Sequence, residues 1–180
     1  YTEVTESSGI DKSGYGLGIA ISDINGDGYP DVYAANDFAS SDLLWINQGD
    51  GTFENRADEY FKHTSFSAMG TEIKDINNDG LPDVVTLDML PENNYLKKTM
   101  TNPNNYLNYS RNAFGRIDPQ ITRNTLQLNR GARWIRPDSV GPPIFSEIAY
   151  LAGMAETDWS WGPLLADFDH DGYRDLLVTN

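Results

Sequence analysis

The chain is 180 residues long, 39% apolar and 12% aromatic, which fits one globular domain with a sizeable core and excludes a disordered chain. A formal net charge of -14 argues against nucleic acid or an anionic membrane surface as the main partner, and no apolar run reaches the roughly 18 residues of a membrane span. Cysteine is absent, so no disulfide braces the fold and no redox compartment follows; the first residue is Tyr1 rather than Met, which leaves room for a removed leader or anchor.

In chain order, "GLGIAIS" reads as a strand that enters the loop "DINGDGYPD" (Asp23 to Asp31). "DVYAAN" leaves that loop, "DLLWIN" follows a turn at Ala39 to Ser41, and "GTFEN" follows the "NQGDG" turn. Four short antiparallel strands of this kind make one propeller blade, here about 14–56. A second unit, about 66–148, opens with "MGTEIK", the loop "DINNDGLPD" and "DVVTLD", breaks off at Pro91, and resumes with "NTLQLN" and "IFSEIA". A third begins at about 159 with "WGPLLA", the loop "DFDHDGYRD" and "DLLVTN". The expected fold is all-β: propeller blades of four antiparallel strands, in a partial propeller completed by further repeats or a partner.

The three loops share the pattern D-x-[DN]-x-D-G-x-x-D and hold ten of the 27 acidic residues. Like charges crowded this tightly need a cation at their centre, and an all-oxygen set in a flexible loop suits Ca²⁺ better than softer metals. Positions 1, 3, 5 and 9 offer side chains: Asp23, Asn25, Asp27 and Asp31; Asp75, Asn77, Asp79 and Asp83; Asp167, Asp169, Asp171 and Asp175. Position 7, which is Tyr29, Leu81 and Tyr173, offers its backbone carbonyl, and the glycine at position 6 permits the sharp turn. Up to three Ca²⁺ ions are expected. An EF-hand is excluded because position 12 is Ala34, Thr86 or Val178 instead of Glu and the flanks read as strands. A set of mere hairpin turns would not repeat the same four oxygen positions three times.

These loops and flanks resemble the FG-GAP (VCBS-type) repeat family, the calcium-loop β-propellers that include integrin α-subunit heads. More closely, "GYGLGIAISDINGDGYPDVY", "NQGDGTFEN", "FSAMGTEIKDINNDGLPDVVTLDMLPE" and "TDWSWGPLLADFDHDGYRDLL" resemble large surface proteins of Bacteroidetes-type bacteria related to cartilage acidic protein. Where that pattern has N-x-G-x-G-T-F, this chain has "NRGARWIRPDSVGPPIF", a longer turn. The resemblance implies a propeller at the cell surface or outer membrane, used for binding.

Other residues read as structural. "GYGLG" at Gly14 to Gly18 lacks the spacing of a dinucleotide site and suits close strand approach near a propeller axis. Trp159 and Trp161, two apart, are expected to share a strand face, and packing between blades is favoured for them over a sugar-stacking platform. His63 has no accompanying nucleophile motif, and His170 at position 4 of the third loop points away from the metal. "NYS" at Asn108 fits a glycosylation acceptor.

Glu92 to Arg136 carries eight basic and two acidic residues, against five basic and 25 acidic elsewhere. Its irregular part, the excursion 91–123, is expected to hold a short helix near Tyr95 to Met100 and either to dock its cations on the acidic blades or to bind a partner. Tyr106, Tyr109, Arg111 and Arg116 are candidate contact residues for a protein or glycan at the cell surface, or for another domain of a parent chain. A non-catalytic binding or adhesion module is therefore favoured over a catalytic propeller acting on a glycan or other extracellular polymer, since nearly every clustered carboxylate is committed to a metal loop.

Overall fold

The computed structural model describes residues 1–38, 40–100, 110, 119–136 and 139–180. Among these, the chain forms β1 (Tyr15–Ser22), β2 (Asp31–Asp37), β3 (Leu43–Asn47) and β4 (Phe53–Asn55), which pair in that order as one antiparallel four-stranded sheet. A single helical turn, α1 (Ala57–Tyr60), and β5 (Thr64–Ser65) lead into β6 (Thr71–Lys74) and β7 (Asp83–Thr86). After β8 (Met89–Leu90), α2 (Asn94–Met100) and β9 (Gln120–Ile121), the second sheet is completed by β10 (Thr125–Arg136) and β11 (Ser139–Glu147), in the order β11-β10-β7-β6. The insertion between β7 and β10 therefore leaves the four-stranded unit intact. β12 (Asp158–Trp159) pairs with β8, and β13 (Gly162–Ala166) pairs with β14 (Asp175–Thr179) as a third, two-stranded sheet. The architecture is a partial, open β-propeller.

Burial explains the stacking. β7 reads "DVVT" without alternation because it is covered on both faces. Val84 lies in the core between the first two sheets with Ile24, Tyr33, Leu44, Ile73 and Phe145, whereas Val85 lies in the core shared with the third sheet with Leu87, Leu126 and Leu165. Each fully buried side chain of this size contributes about 1.5–3 kcal/mol. β1, covered on one face only, turns Tyr15, Leu17, Ile19 and Ile21 outward, each 54% to 70% exposed.

Glycine sets the spacing between sheets. A Cβ on Gly18 would lie 2.9 Å from the Thr71 amide nitrogen, and one on Gly70 would lie 2.3 Å from the Trp161 carbonyl oxygen. The close approach expected of the glycine-rich stretch is thus seen at Gly18. The expectation for Trp159 and Trp161 is corrected. Ser160 breaks the strand between them, Trp159 belongs to β12 and Trp161 precedes β13, and they remain 45% and 57% exposed.

The helix expected near Tyr95 is α2, started by Asn93, whose side-chain oxygen accepts the Tyr95 amide at 2.8 Å. Tyr106, Asn108, Tyr109, Arg111 and Arg116 lie outside the described residues. The long "NRGARWIRPDSVGPPIF" turn is the end of the β10–β11 ribbon, whose register shifts between Asn129 and Ala132 and again nearer the tip. No helix of the described residues is long and apolar enough to cross a membrane.

Candidate metal centres

Each acidic loop joins two neighbouring strands of one sheet: β1 to β2, β6 to β7, and β13 to β14. Its backbone is drawn around its own side-chain oxygens. In the first loop Asp23 accepts the amides of Gly26, Asp27 and Gly28, at 2.8 to 3.1 Å. Asn25 Oδ1 accepts the Asp27 amide at 3.0 Å, and Asp27 Oδ1 accepts that of Tyr29 at 2.8 Å. The second loop repeats this with Asp75 holding Asp79 and Gly80, Asn77 holding Asp79, and Asp79 holding Leu81. The third repeats it with Asp167 holding Asp171 and Gly172, Asp169 holding Asp171, and Asp171 holding Tyr173. Positions 1, 3 and 5 are thereby gathered in one turn in all three loops. The glycine at position 6 has φ of +90°, +85° and +91° in Gly28, Gly80 and Gly172, a left-handed conformation that other residues adopt only at a cost.

Position 4 is left-handed as well, which the spacing argument overlooks: Gly26, Asn78 and His170 have φ of 75°, 59° and 63°. Gly, Asn and His are among the types that tolerate this region, so the variation at position 4 follows from backbone geometry. His170 is exposed there.

The position 9 carboxylates have a second task. Asp31 Oδ2 accepts the amide of Ile24 within its loop, and Oδ1 accepts the amide of Asn47 at the end of β3, both at 2.9 Å. Asp83 likewise accepts Ile76 at 3.0 Å and Asn129 of β10 at 2.8 Å. Both are fully buried. Burial raises both carboxyls above the ordinary range, the two amides oppose the shift, and the neighbouring loop carboxylates raise them further. Asp175 accepts Phe168 at 2.9 Å and is exposed.

Asn47 and Asn129 were not among the residues singled out from sequence. Asn47 donates through Nδ2 to the Pro30 carbonyl at 3.1 Å and accepts the Gly49 amide at 3.0 Å. Asn129 donates to Pro82 at 3.3 Å and accepts Gly131 at 2.9 Å. The signal that finds them is the shared Asn-x-Gly of "NQG" and "NRG", with Gly49 and Gly131 left-handed at φ of 75° and 77°.

The donor set fits a hard cation. In the third loop one carboxylate oxygen each of Asp167, Asp169 and Asp175 lie within 4.8 Å of one another. Calcium–oxygen bonds of about 2.3–2.6 Å place ligands on opposite sides of one ion roughly 5 Å apart, so this spacing suits a shared ion. The first two loops carry neutral Asn25 and Asn77 where Asp169 stands, leaving three carboxylates each. Residues 23–86, spanning the first two loops, match the FG-GAP-like repeat family.

It is over this stretch that the chain resembles FG-GAP repeat proteins. Cartilage acidic protein 1 of Mus musculus and of Homo sapiens each share 23% identity with it over 204 aligned positions, covering 99% of this chain and 31% and 30% of theirs. The chain thus spans less than a third of the length of these curated relatives.

Away from the loops, a buried polar cluster ties the insertion to the second sheet. Arg123 pairs with Glu147, contacts His63 Nε2 at 3.0 Å, and lies 4.7 Å above the Tyr150 ring. Burial, and then the Arg123 charge, hold the His63 imidazole below its ordinary range. Asp88, fully buried, accepts the hydroxyl of Ser65 and the amides of Phe66, Ser67 and Arg123. Lys97 of α2 reaches Glu156 at 2.6 Å. Two cations of the insertion, Lys97 and Arg123, therefore dock on Glu156 and Glu147.

Proposed function

We propose that this FG-GAP domain is a calcium-stabilised extracellular binding or adhesion module within a larger surface protein. The observation that supports the reading is the same hydrogen-bond scheme in three loops, which draws positions 1, 3 and 5 of each into one turn, together with the approach of one oxygen each of Asp167, Asp169 and Asp175 to within 4.8 Å in the third. Asp31, Asp83, Asp175 and the carbonyls of Tyr29, Leu81 and Tyr173 complete each set. Ca²⁺ supplies no reaction step here; it neutralises repulsion among the carboxylates and fixes the loops. Sites in extracellular modules bind at about 10⁻⁴–10⁻³ M, so they fill only where calcium is abundant, which favours a location outside the cell. The partner is a protein or glycan surface, with the Tyr and Arg residues of the basic insertion as its contact.

The position 7 tyrosines provide the test. Tb³⁺ replacing Ca²⁺ beside Tyr29 or Tyr173 should show tyrosine-sensitised luminescence, quenched by millimolar Ca²⁺. Asp27→Ala should remove the contribution of the first site and Asp171→Ala that of the third. Absence of sensitised emission would overturn the calcium reading.

A further inference from the structure

The second sheet carries a ribbon that the first lacks. In the first sheet Asn47 pairs with Phe53 across a five-residue turn, whereas in the second Asn129 pairs with Phe145 across fifteen residues. The added length is laddered: Ala132 lies opposite Pro143, Arg133 opposite Gly141, Trp134 opposite Val140 and Arg136 opposite Ser139. β7 borders β10 only from Thr125 to Gln127, so beyond Asn129 the two strands run on as a two-stranded ribbon among the described residues. Its base is seated on the second acidic loop, where the Asn129 amide donates to Asp83 at 2.8 Å and a Cβ on Gly131 would lie 3.5 Å from Leu81 Cδ1. The tip therefore projects from the rim that carries the loops.

The ribbon differs in charge from the rest of the chain. Between Asn129 and Phe145 stand Arg130, Arg133 and Arg136 against one acid, Asp138, while the remainder holds ten basic and 26 acidic residues. All three Arg are exposed, and among the described residues none makes an ion pair or a side-chain hydrogen bond. In a chain of net charge -14, three guanidiniums left unpaired on one ribbon suit an anion from outside. Trp134 is 72% exposed, and because directly opposed residues of an antiparallel pair project from one face, its ring and Val140 lie together. Ile135 does not extend that face, since it points the other way and its Cδ1 covers Gly141, 2.8 Å from where a Cβ would stand. The exposed apolar face is thus one indole ring and one valine, flanked in sequence by Arg133 and Arg136.

Size decides among anionic partners. A stable protein interface buries about 800 Å² on each side, more than one ring and one valine at a ribbon tip supply. A bilayer also asks for more, because even one acyl chain holds a membrane only marginally, and the acidic loops at the ribbon's base repel anionic lipid. A sugar chain matches: the C–H face of a pyranose stacks on an indole, and a carboxylate on the same chain meets an Arg fork as a bidentate pair. Arg133 and Arg136 stand three residues apart, about 10 Å along a strand, which is the length of a disaccharide. We propose that the tip of the β10–β11 ribbon is a docking site for an acidic, uronate-bearing polysaccharide, with Trp134 stacked on a sugar ring and Arg133 and Arg136 paired with carboxylates. The inference deepens the binding-module reading and rests on it, but not on calcium.

The probe is a short oligogalacturonate, titrated calorimetrically into the full chain beside two controls: an uncharged dextran oligomer, which has the rings without the charge, and oligoglutamate, which has the charge without the rings. Saturable binding is expected for oligogalacturonate alone, weakening as salt rises. Trp134→Ala, and Arg133→Gln combined with Arg136→Gln, should each weaken it by about ten-fold or more, and the Arg pair should also flatten the salt dependence. Trp134→Phe keeps a ring for stacking and should retain most of the affinity, which separates loss of the contact from loss of the fold. No binding of oligogalacturonate, equal binding of oligoglutamate, or affinity indifferent to Trp134→Ala would overturn the proposal. Binding to phosphatidylglycerol vesicles without binding to oligogalacturonate would overturn it in favour of a membrane. Failure of the calcium reading appears separately, as a melting midpoint indifferent to Ca²⁺ in a chain that still binds the sugar.

Discussion

Asn78 Nδ2 donates a 2.7 Å hydrogen bond to the carbonyl of Gly172, joining the second acidic loop to the third across 94 residues of sequence. The two loops lie side by side on one rim of the propeller, so an ion bound in one would act on the backbone of the other. Asn129 makes a similar link from the second sheet to the first loop through the Ile24 carbonyl at 3.3 Å.

Asn78→Gly isolates this link, since glycine accepts the φ of 59° at no steric cost. A loss of about 0.5–1.5 kcal/mol in urea melts is expected, together with weaker calcium affinity at the third loop. An unchanged affinity there would show that the loops act independently.

Asp42 predicts a pH dependence. It accepts the Tyr33 hydroxyl at 2.6 Å and the Asn36 amide at 2.8 Å, is fully buried, and burial pushes its carboxyl up to about 7 from the ordinary 3.8. The folded state therefore binds this proton more tightly than the unfolded state, so stability is highest below the ordinary carboxyl range and is lost as pH rises through about 7. Calcium-free protein should melt lower at pH 8 than at pH 6, with a limiting slope of about 1.4 kcal/mol per pH unit for one proton. Asp42→Asn should flatten that slope; an equally steep profile in the variant would assign it to other groups.

Arg123 and Glu147 form a buried pair, each side chain 10% exposed, and one guanidinium nitrogen, Nη1, has no hydrogen-bond partner among the described residues. Arg123→Met leaves Glu147 charged and buried, and should cost about 3–5 kcal/mol. Adding Glu147→Gln, which keeps an acceptor for the Ala149 amide, should recover part of that loss. The His63 imidazole should titrate higher in Arg123→Met, as NMR would show. A single variant within 1 kcal/mol of wild type would make the pair dispensable.

The strands and loops were legible in the sequence because each carries a local signal: β-branched runs for β2 and β7, and regularly spaced oxygens for the loops. That β7 is covered on both faces is consistent with its sequence, since Val84 and Val85 are both apolar. The links from loop to third strand were harder to see. Asn47 and Asn129 look like turn residues, and their tie to Asp31 and Asp83 appears only when strands distant in sequence pair. The same holds for Asp42 and Asp88, single acids in apolar surroundings whose partners come from other strands. Trp159 and Trp161 misled because a period of two means a shared face only within one continuous strand, and Ser160 ends that strand.

The central claim, that the three loops are calcium sites holding the FG-GAP fold together, is tested most directly by the melting midpoint in chelator and in 10 mM Ca²⁺. For dissociation constants of about 10⁻⁴–10⁻³ M, each filled site adds about 1.4–2.7 kcal/mol at that concentration. The midpoint should therefore rise markedly, and Asp27→Ala, Asp79→Ala and Asp171→Ala should each remove about one third of the rise. A midpoint that does not move with Ca²⁺ would contradict the account.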